Sequence, residues 1–392
     1  MQLEIALIEP FFSGSHKVWS QSLNEYSKHN IDYIAMPGRH WKWRMHGGAI
    51  TTARLYSEKY HAASTDLHPR LILATDMLDL TTFLALTRRF TAKIPAAVYF
   101  HESQFSYPVR SVPGTEAKPD EHYPFINYAS ALAADRIYFN SHYHRDDFLK
   151  HCREFPGRFP DFREESAAES LAEKSRVLPL GLEAGREVAK AAADEAEVPG
   201  LRLAELRSGP PVLLWNHRRE HDKNPEDFFA AMIALAERGC DFRLVVLGQS
   251  FRETPPIFAW ARERLGERIV RFESAESRAD YFRWLLACDL LPVTSKHDFF
   301  GAAVIEAMAA GCYPMLPRRL AYAEHVDGDP RFMYSTNAEL VERLEAMLKT
   351  PGTWRNADTR QAVAAMAARY DWPNLIADYD REFEDLAQTP IE

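Results

Sequence analysis

The stretch LLPVTSKHDFFGAAVIEAMAAGCYPML, residues 290–316, decides the fold. Leu290 to Val293 reads as a short buried strand. A polar turn follows, Ala303 to Ala310 has helical spacing, Gly311 ends the helix, and Tyr313 to Leu316 returns to an apolar run. This is a β-α-β unit, in which a helix crosses one face of a sheet to join two parallel strands. The stretch also holds chemistry. A helix that opens at Phe300-Gly301 offers unpaired N–H groups to an anion. Asp298 stands just before that helix and Glu306 lies within it, placed for the hydroxyls of a bound group and for a ribose diol. The structural alternative is a solvated carboxylate pair, although Gly, Ala and Met around Glu306 make an unpaired charge costly there.

The same alternation runs through the chain, so the fold class is α/β with mostly parallel sheets. In the first half, strands are expected at Glu4 to Ile8, Asp32 to Ala35, Leu71 to Ala74, Ala96 to Phe100, Arg136 to Phe139 and Arg176 to Leu178, with helices such as Lys17 to Lys28 and Tyr123 to Ala134 between them. The second half restarts at Val212 to Trp215. Strands are expected there at Arg243 to Leu247, Arg268 to Phe272, Leu290 to Val293 and Tyr313 to Leu316, and helices at Pro225 to Glu237, Ile257 to Leu265 and Arg278 to Ala287. Asn224 is read as the cap of the first of these helices, with Pro225 at its first position. The periodicity fades between 183 and 209, around Gly200 and Gly209-Pro210-Pro211, so a linker with a short helix separates domains at 1–182 and 210–371. Two α/β domains in succession place ligands at strand ends, in a cleft between them.

Composition narrows the class. The 392 residues carry 47 Lys plus Arg against 56 Asp plus Glu, a net charge of −9. An acidic chain cannot hold nucleic acid by a general positive field, so any RNA must meet a local patch. The opening from Met1 to Phe12 has no basic run and reads as a buried strand, not a signal peptide. No apolar run approaches the roughly 20 residues that span a bilayer. Cys152, Cys240, Cys288 and Cys312 lie far apart with no Cys-x-x-Cys pair, which argues against structural zinc and a disulfide framework and points to a reducing, cytoplasmic setting.

Four polar loops follow strands. Trp215 to Glu226 contains Arg218 and Lys223, fixed charges suited to a diphosphate. The alternative is a surface charge cluster. His217 and His221 lack a third neighbouring ligand and are not read as a metal site. The first strand leads into Phe11 to Lys17, where Gly14 allows close backbone approach and the amides of Ser15 and His16 are available to a ligand. Phe100 to Pro108 places His101 and Glu102 at a strand's carboxyl edge. From Arg39 to His46 the chain reads RHWKWRMH, expected as a loop. Its Arg39, Lys42 and Arg44 suit phosphate, and Trp41 and Trp43 suit splayed bases, unless the tryptophans pack on the core.

These residues match a family. Asp298-x7-Glu306 followed by Ala-Met-Ala-Ala-Gly, with Arg218 and Lys223 five apart, resembles the donor domain of retaining GT-B glycosyltransferases of the glycogen-synthase and mannosyltransferase type, with Asp298 where their pattern has Glu. A narrower likeness runs along nearly the whole chain. Ser13 to Lys17, Pro37 to Arg44, His101-Glu102-Ser103-Gln104 with Tyr107-Pro108, Arg218 to Lys223 with Pro225-Glu226, and Lys296 to Gly301 are similar to the tRNA-queuosine alpha-mannosyltransferase family.

The resemblance implies a GT-B fold of two Rossmann-like domains facing a central cleft, and transfer of mannose from GDP-mannose to queuosine in a tRNA anticodon, with retention, no metal and no other cofactor. Arg218 and Lys223 would hold the diphosphate, the Phe300 and Gly301 amides would assist, Asp298 would bind mannose hydroxyls and Glu306 the ribose. His101 would sit beside the transferred sugar. Gly14, Ser15 and His16 would approach the diphosphate, and Arg39, Trp41, Lys42, Trp43, Arg44, Gln104 and Tyr107 would meet the tRNA. A last helix from Trp372 would return to the first domain. No membrane partner is implied, and the oligomeric state is left open. The residues alone also leave room for a GT-B transferase acting on a lipid, glycan or small molecule, and for a binding module without catalysis. No Gly-x-Gly-x-x-Gly follows either first strand, which disfavours a dehydrogenase.

Overall fold

The computed structural model describes residues 2–61, 68–107, 121–164, 166–193, 203–249 and 254–389; Met1, Pro108 and Gly200, named above, lie outside the described residues. The chain forms two compact units, Met1–Leu182 with Trp372–Glu392, and Glu183–Asp371.

In the first unit β1 (Glu4–Phe12), α1 (Gly14–Tyr26), β2 (Asn30–Pro37), α2 (Trp41–His61), β3 (Leu71–Thr75), α3 (Leu80–Thr91), β4 (Ala96–Phe100), α4 (His122–Ala133), β5 (Arg136–Phe139), α5 (His142–Glu154), α6 (Ala167–Glu173) and β6 (Ser175–Val177) follow one another. Among the described residues the strands make one parallel sheet in the order β2-β1-β3-β4-β5-β6. β3 and β4 are buried throughout, as strands covered by helices on both faces must be. Each buried aliphatic side chain contributes about 1.5–3 kcal/mol of transfer free energy.

The second unit contains α7 (Ala184–Ala193), α8 (Leu203–Ser208), β7 (Val212–Trp215), α9 (Pro225–Glu237), β8 (Arg243–Val246), α10 (Ile257–Leu265), β9 (Ile269–Arg271), α11 (Arg278–Ala287), β10 (Leu290–Pro292), α12 (Ala302–Ala309), β11 (Tyr313–Pro317), α13 (Tyr322–His325), β12 (Met333–Tyr334), α14 (Asn337–Lys349) and α15 (Ala357–Ala368). Its parallel sheet runs β12-β11-β10-β7-β8-β9. The segment expected as a linker differs from that reading. α7 packs against α11 and α12, and α8 against α11, so the described part of 183–209 belongs to this unit.

In both sheets the strand order reverses once, between β1 and β3 and between β7 and β10. Chain connections leave such a point in opposite directions, which opens a crevice at the carboxyl ends of the two strands. The polar loops singled out in the sequence fall at or beside these two points.

α16 (Trp372–Gln388) closes the first unit. Its buried Trp372, Leu375, Tyr379, Phe383 and Leu386 recur every three or four residues and make one apolar stripe. The Trp372 ring occupies the space a side chain at Gly181 would need. Asp380 accepts hydrogen bonds from Ser27 Oγ at 2.6 Å and the Lys28 amide at 3.2 Å.

Candidate active site

At the reversal point of the second sheet, the loop after β7 and the loop after β10 are tied together. The Lys296 amide donates to Asp222 O at 2.8 Å, and Thr294 Oγ1 donates to the carbonyls of Lys223 and Asn224 at 3.1 and 2.9 Å. Asn224 has φ 56, in the left-handed region, and its side chain does not cap α9 as expected. Its amide instead donates to Asp227 Oδ2 at 2.6 Å and Thr294 O at 3.2 Å, so it braces the two loops.

This bracing places Lys223. The side chain is buried, and Nζ donates to His297 O at 2.9 Å and lies 3.1 Å from Asp222 Oδ2 and 3.3 Å from Asp298 Oδ2. Tyr322 Oη donates to the same Asp298 oxygen at 3.0 Å. Burial alone would raise the Asp298 pKa, but the charges of Lys223 and His217 and the hydrogen bonds from Tyr322 and Lys223 outweigh it and hold the carboxyl below the usual range. Arg218 is half-exposed and lies 3.3 Å from Glu220. The positive charge expected for a diphosphate is therefore present, already matched by protein carboxylates.

His217, beside Arg218 in the loop after β7, is not among the expected site residues. It is 3% exposed, its Nε2 is buried without a partner, and burial with the nearby Lys223 charge lowers its pKa to about 4. Its carbonyl accepts from Trp215 Nε1 at 2.9 Å and would stand 1.9 Å from a Cβ at position 248, which is why Gly248 follows β8 there.

Gly301 precedes α12 at φ 87, and a Cβ there would meet the Tyr322 ring at 3.0 Å. Phe300 is buried between the rings of His325 and Tyr370, and its carbonyl accepts from His325 Nε2 at 2.6 Å. Glu306 is buried on α12. Arg278 binds one of its oxygens, and Tyr281 Oη donates to the other at 2.9 Å. Tyr281 in turn accepts from Asn216 Nδ2 at 3.0 Å. A ribose at Glu306 would share it with Arg278 and Tyr281, neither of them among the expected site residues. The Glu on an apolar helix was itself the signal, because a buried carboxylate needs such partners.

In the first unit Gly14, at φ 52, and Ser15 are exposed at the start of α1, while His16 is buried one residue on. His16 Nδ1 meets Glu9 Oε2 at 2.9 Å, and its ring lies 4.2 Å from that of His101. The His101 amide donates to Asp76 Oδ1 at 2.9 Å, and its carbonyl accepts from Asn140 Nδ2 at 2.9 Å. Burial, then His16 and His144, lower the His101 pKa, so its imidazole is neutral. Glu9, His16 and His101 each bring a ligand-type atom within 4.8 Å of the others, but Glu9 and His16 already bind each other through a proton. The Gln104 amide donates to Asn127 Oδ1 at 2.9 Å, and its side chain donates to Glu102 at 3.2 Å.

The segment expected as the loop RHWKWRMH is only partly a loop. Arg39 and His40 are exposed, His40 has φ 53, and Trp41 starts α2. The helix forms because the amides of Trp43 and Arg44 both bond back to His40 O, at 2.8 and 3.1 Å. Trp41 packs 5.3 Å from Tyr123 and 6.5 Å from Tyr107, beside a small cluster of Met45, Met77 and Ile126. Lys42 Nζ stands 5.6 Å from the centres of both the Trp41 and Tyr123 rings. Trp43 is 63% exposed and lies over Gly47, whose missing side chain makes room for it. Arg44 donates to Pro37 O at 3.2 Å. His46 and His122 stack at 4.3 Å. Basic and aromatic groups thus share one surface, with Trp41 structural and Trp43 exposed.

Two α/β units with sites at their reversal points are the architecture of GT-B glycosyltransferases, and comparison with known proteins gives the same class. Residues 203–365 match the family "Glycosyl transferases group 1". Sucrose-phosphate synthase from Thermosynechococcus elongatus has the same fold, with a TM-score of 0.72 at 17% identity over 98% of this chain and 99% of that one. Residues 4–182 match "tRNA-queuosine alpha-mannosyltransferase N-terminal". The tRNA-queuosine alpha-mannosyltransferase of Drosophila melanogaster is 33% identical over 90% of this chain and 88% of its own length, and the chain belongs to that family. A GDP-mannose:cellobiosyl-diphosphopolyprenol alpha-mannosyltransferase of Xanthomonas campestris is 23% identical over 53% of each chain. Among the described residues no helix is long and apolar enough to cross a membrane.

Proposed function

We propose that this protein transfers mannose from GDP-mannose to the cyclopentenediol of queuosine in a tRNA anticodon, in the cytoplasm, with retention at the anomeric carbon and without a metal. The observation that carries the reading is family membership over 90% of the chain, with Lys223 and Asp298 held together at the reversal point of the second sheet. The name of the Xanthomonas relative supports GDP-mannose as donor.

In this reading the diphosphate binds near Lys223, Arg218 and the start of α12. The negative charge that grows on it as the glycosidic bond breaks draws on Lys223, whose Nζ is oriented in advance by His297 O. Asp298 binds mannose hydroxyls as an ionised acceptor, and Glu306, oriented by Arg278 and Tyr281, takes the ribose diol. On the first unit His101 offers a neutral imidazole to the sugar, and the surface around Trp43 holds RNA.

Purified protein incubated with GDP-mannose and queuosine-containing tRNA should yield, after digestion, a nucleoside heavier than queuosine by one hexosyl group. Mass gain only with another nucleotide sugar would move the donor assignment, and gain on tRNA lacking queuosine would move the acceptor.

A further inference from the structure

Glu9 lies in the apolar run 5–12 of β1, which opens with Glu4, and is fully buried. Both its oxygens are used: Oε1 accepts from the Phe11 amide at 2.7 Å, and Oε2 meets His16 Nδ1 at 2.9 Å. His16 then lies against His101, whose ring is boxed further by Trp19 and Tyr99, each 4.8 Å away. The His101 backbone is held from two sides, by Asp76 and Asn140. Inside this box His101 Nε2 is buried and has no partner, and neither has Asp76 Oδ2. A polar atom so placed is expensive unless a ligand completes it.

We propose that Glu9 is a positioning residue for sugar transfer: it holds His16 as an imidazolium, and the Glu9–His16 pair fixes the neutral His101 ring with Nε2 presented to a hydroxyl of the transferred sugar. The assignment rests on the reading that mannosyl transfer occurs at His101.

The charges around the two rings favour this arrangement. His16 faces Glu9 from β1, Asp76 after β3 and Glu102 after β4; His101 faces His16 and, from α5, His144. Burial opposes charge on His16, but the adjacent carboxylates outweigh it and set its pKa at about 9. Above that pH His16 is a neutral imidazole and the ion pair is lost, so only hydrogen bonds, among them that from the Phe11 amide, offset the buried charge of Glu9, and the box around His101 loosens.

The test is a ring-nitrogen NMR titration of His16 and His101 in the full-length protein, paired with pH profiles of transfer for wild type, Glu9→Gln and Glu9→Asp. The wild type should show His16 protonated and His101 neutral at pH 7, with an alkaline limb of kcat near pH 9. Glu9→Gln should bring His16 titration below neutrality, abolish the limb and lower kcat about 10- to 100-fold, the loss of one charged hydrogen bond, with the KM for GDP-mannose little changed. Glu9→Asp should restore part of the limb. A neutral His16 in the wild type at pH 7, or an unmoved limb in Glu9→Gln, overturns the proposal; the wild-type titration decides it even if the variants fail to fold. Absence of transfer to queuosine by wild type would instead overturn the proposed function, while the titration still reads the pair.

Discussion

Lys223 Nζ lies 3.3 Å from Asp298 Oδ2, joining the loops after β7 and β10 at the point where the second sheet reverses its strand order. Lys223 also faces Asp222, so one ammonium is shared between two carboxylates before any donor arrives. In the proposed reaction a diphosphate entering here would compete with those carboxylates in the ground state and gain on them as its own charge grows in the transition state, which would make Lys223 more valuable to turnover than to binding.

Lys223→Ala and Arg218→Ala should therefore lower kcat more than they raise the donor KM. The loss expected for a charged transition-state contact is about 2 to 4 kcal/mol, or roughly thirty- to a thousand-fold. Steady-state kinetics with GDP-mannose as the varied substrate measure the split. A change confined to KM would make these residues binders only.

Excess chelator should leave the transfer rate unchanged, since in the proposed reaction Lys223, Arg218 and the start of α12 would supply the positive charge that a metal would otherwise give. Activity lost on chelation and restored by magnesium or manganese would contradict this.

Stability should fall on both sides of neutrality, for different reasons. The His16 pKa is raised from 6.5 to about 9, so its contribution is complete below pH 6.5 and is lost as pH rises through 9. Burial lowers His217 and His325 to about 4, so the folded state binds fewer protons than the unfolded one, and stability is lost as pH falls from 6.5 through 4. Melting temperature against pH should show both slopes. Glu9→Gln should flatten the alkaline one and leave the acid one in place.

Much of this was legible in the sequence. The strands Ala96–Phe100 and Val212–Trp215 have the bounds that their apolar runs predict, because a buried parallel strand must be apolar end to end. The start of α2 was not legible. Arg39 to Arg44 has no Ser, Asp or Asn to cap it, and its first turn is basic and aromatic on every side, so no apolar stripe marks a helix. β12 has two residues, too few for any periodicity. Glu9 was passed over because the expected strand, Glu4 to Ile8, stops one residue short of it, whereas β1 continues to Phe12. A carboxylate within an apolar run, followed seven residues later by a histidine in a helix's first turn, was the available signal.

The surface at the start of α2 gives the final prediction. Trp41 packs against Tyr123 and the cluster of Met45, Met77 and Ile126, so replacing it would disturb the fold as well as any RNA contact. Trp43 is exposed and rests on the backbone at Gly47, so its ring is presented outward at little cost to the core. Base stacking on an aromatic side chain is worth about 1 to 3 kcal/mol. Trp43→Ala combined with Arg44→Ala should thus weaken tRNA binding by roughly ten-fold or more, with the steep salt dependence of the wild type reduced as a phosphate contact is lost. GDP-mannose affinity and melting temperature should stay near wild type. Fluorescence titrations of both ligands at two salt concentrations provide the check. Unchanged tRNA affinity would place the anticodon elsewhere on the first unit, and a parallel loss of donor affinity would show that the start of α2 supports the fold and does not read RNA.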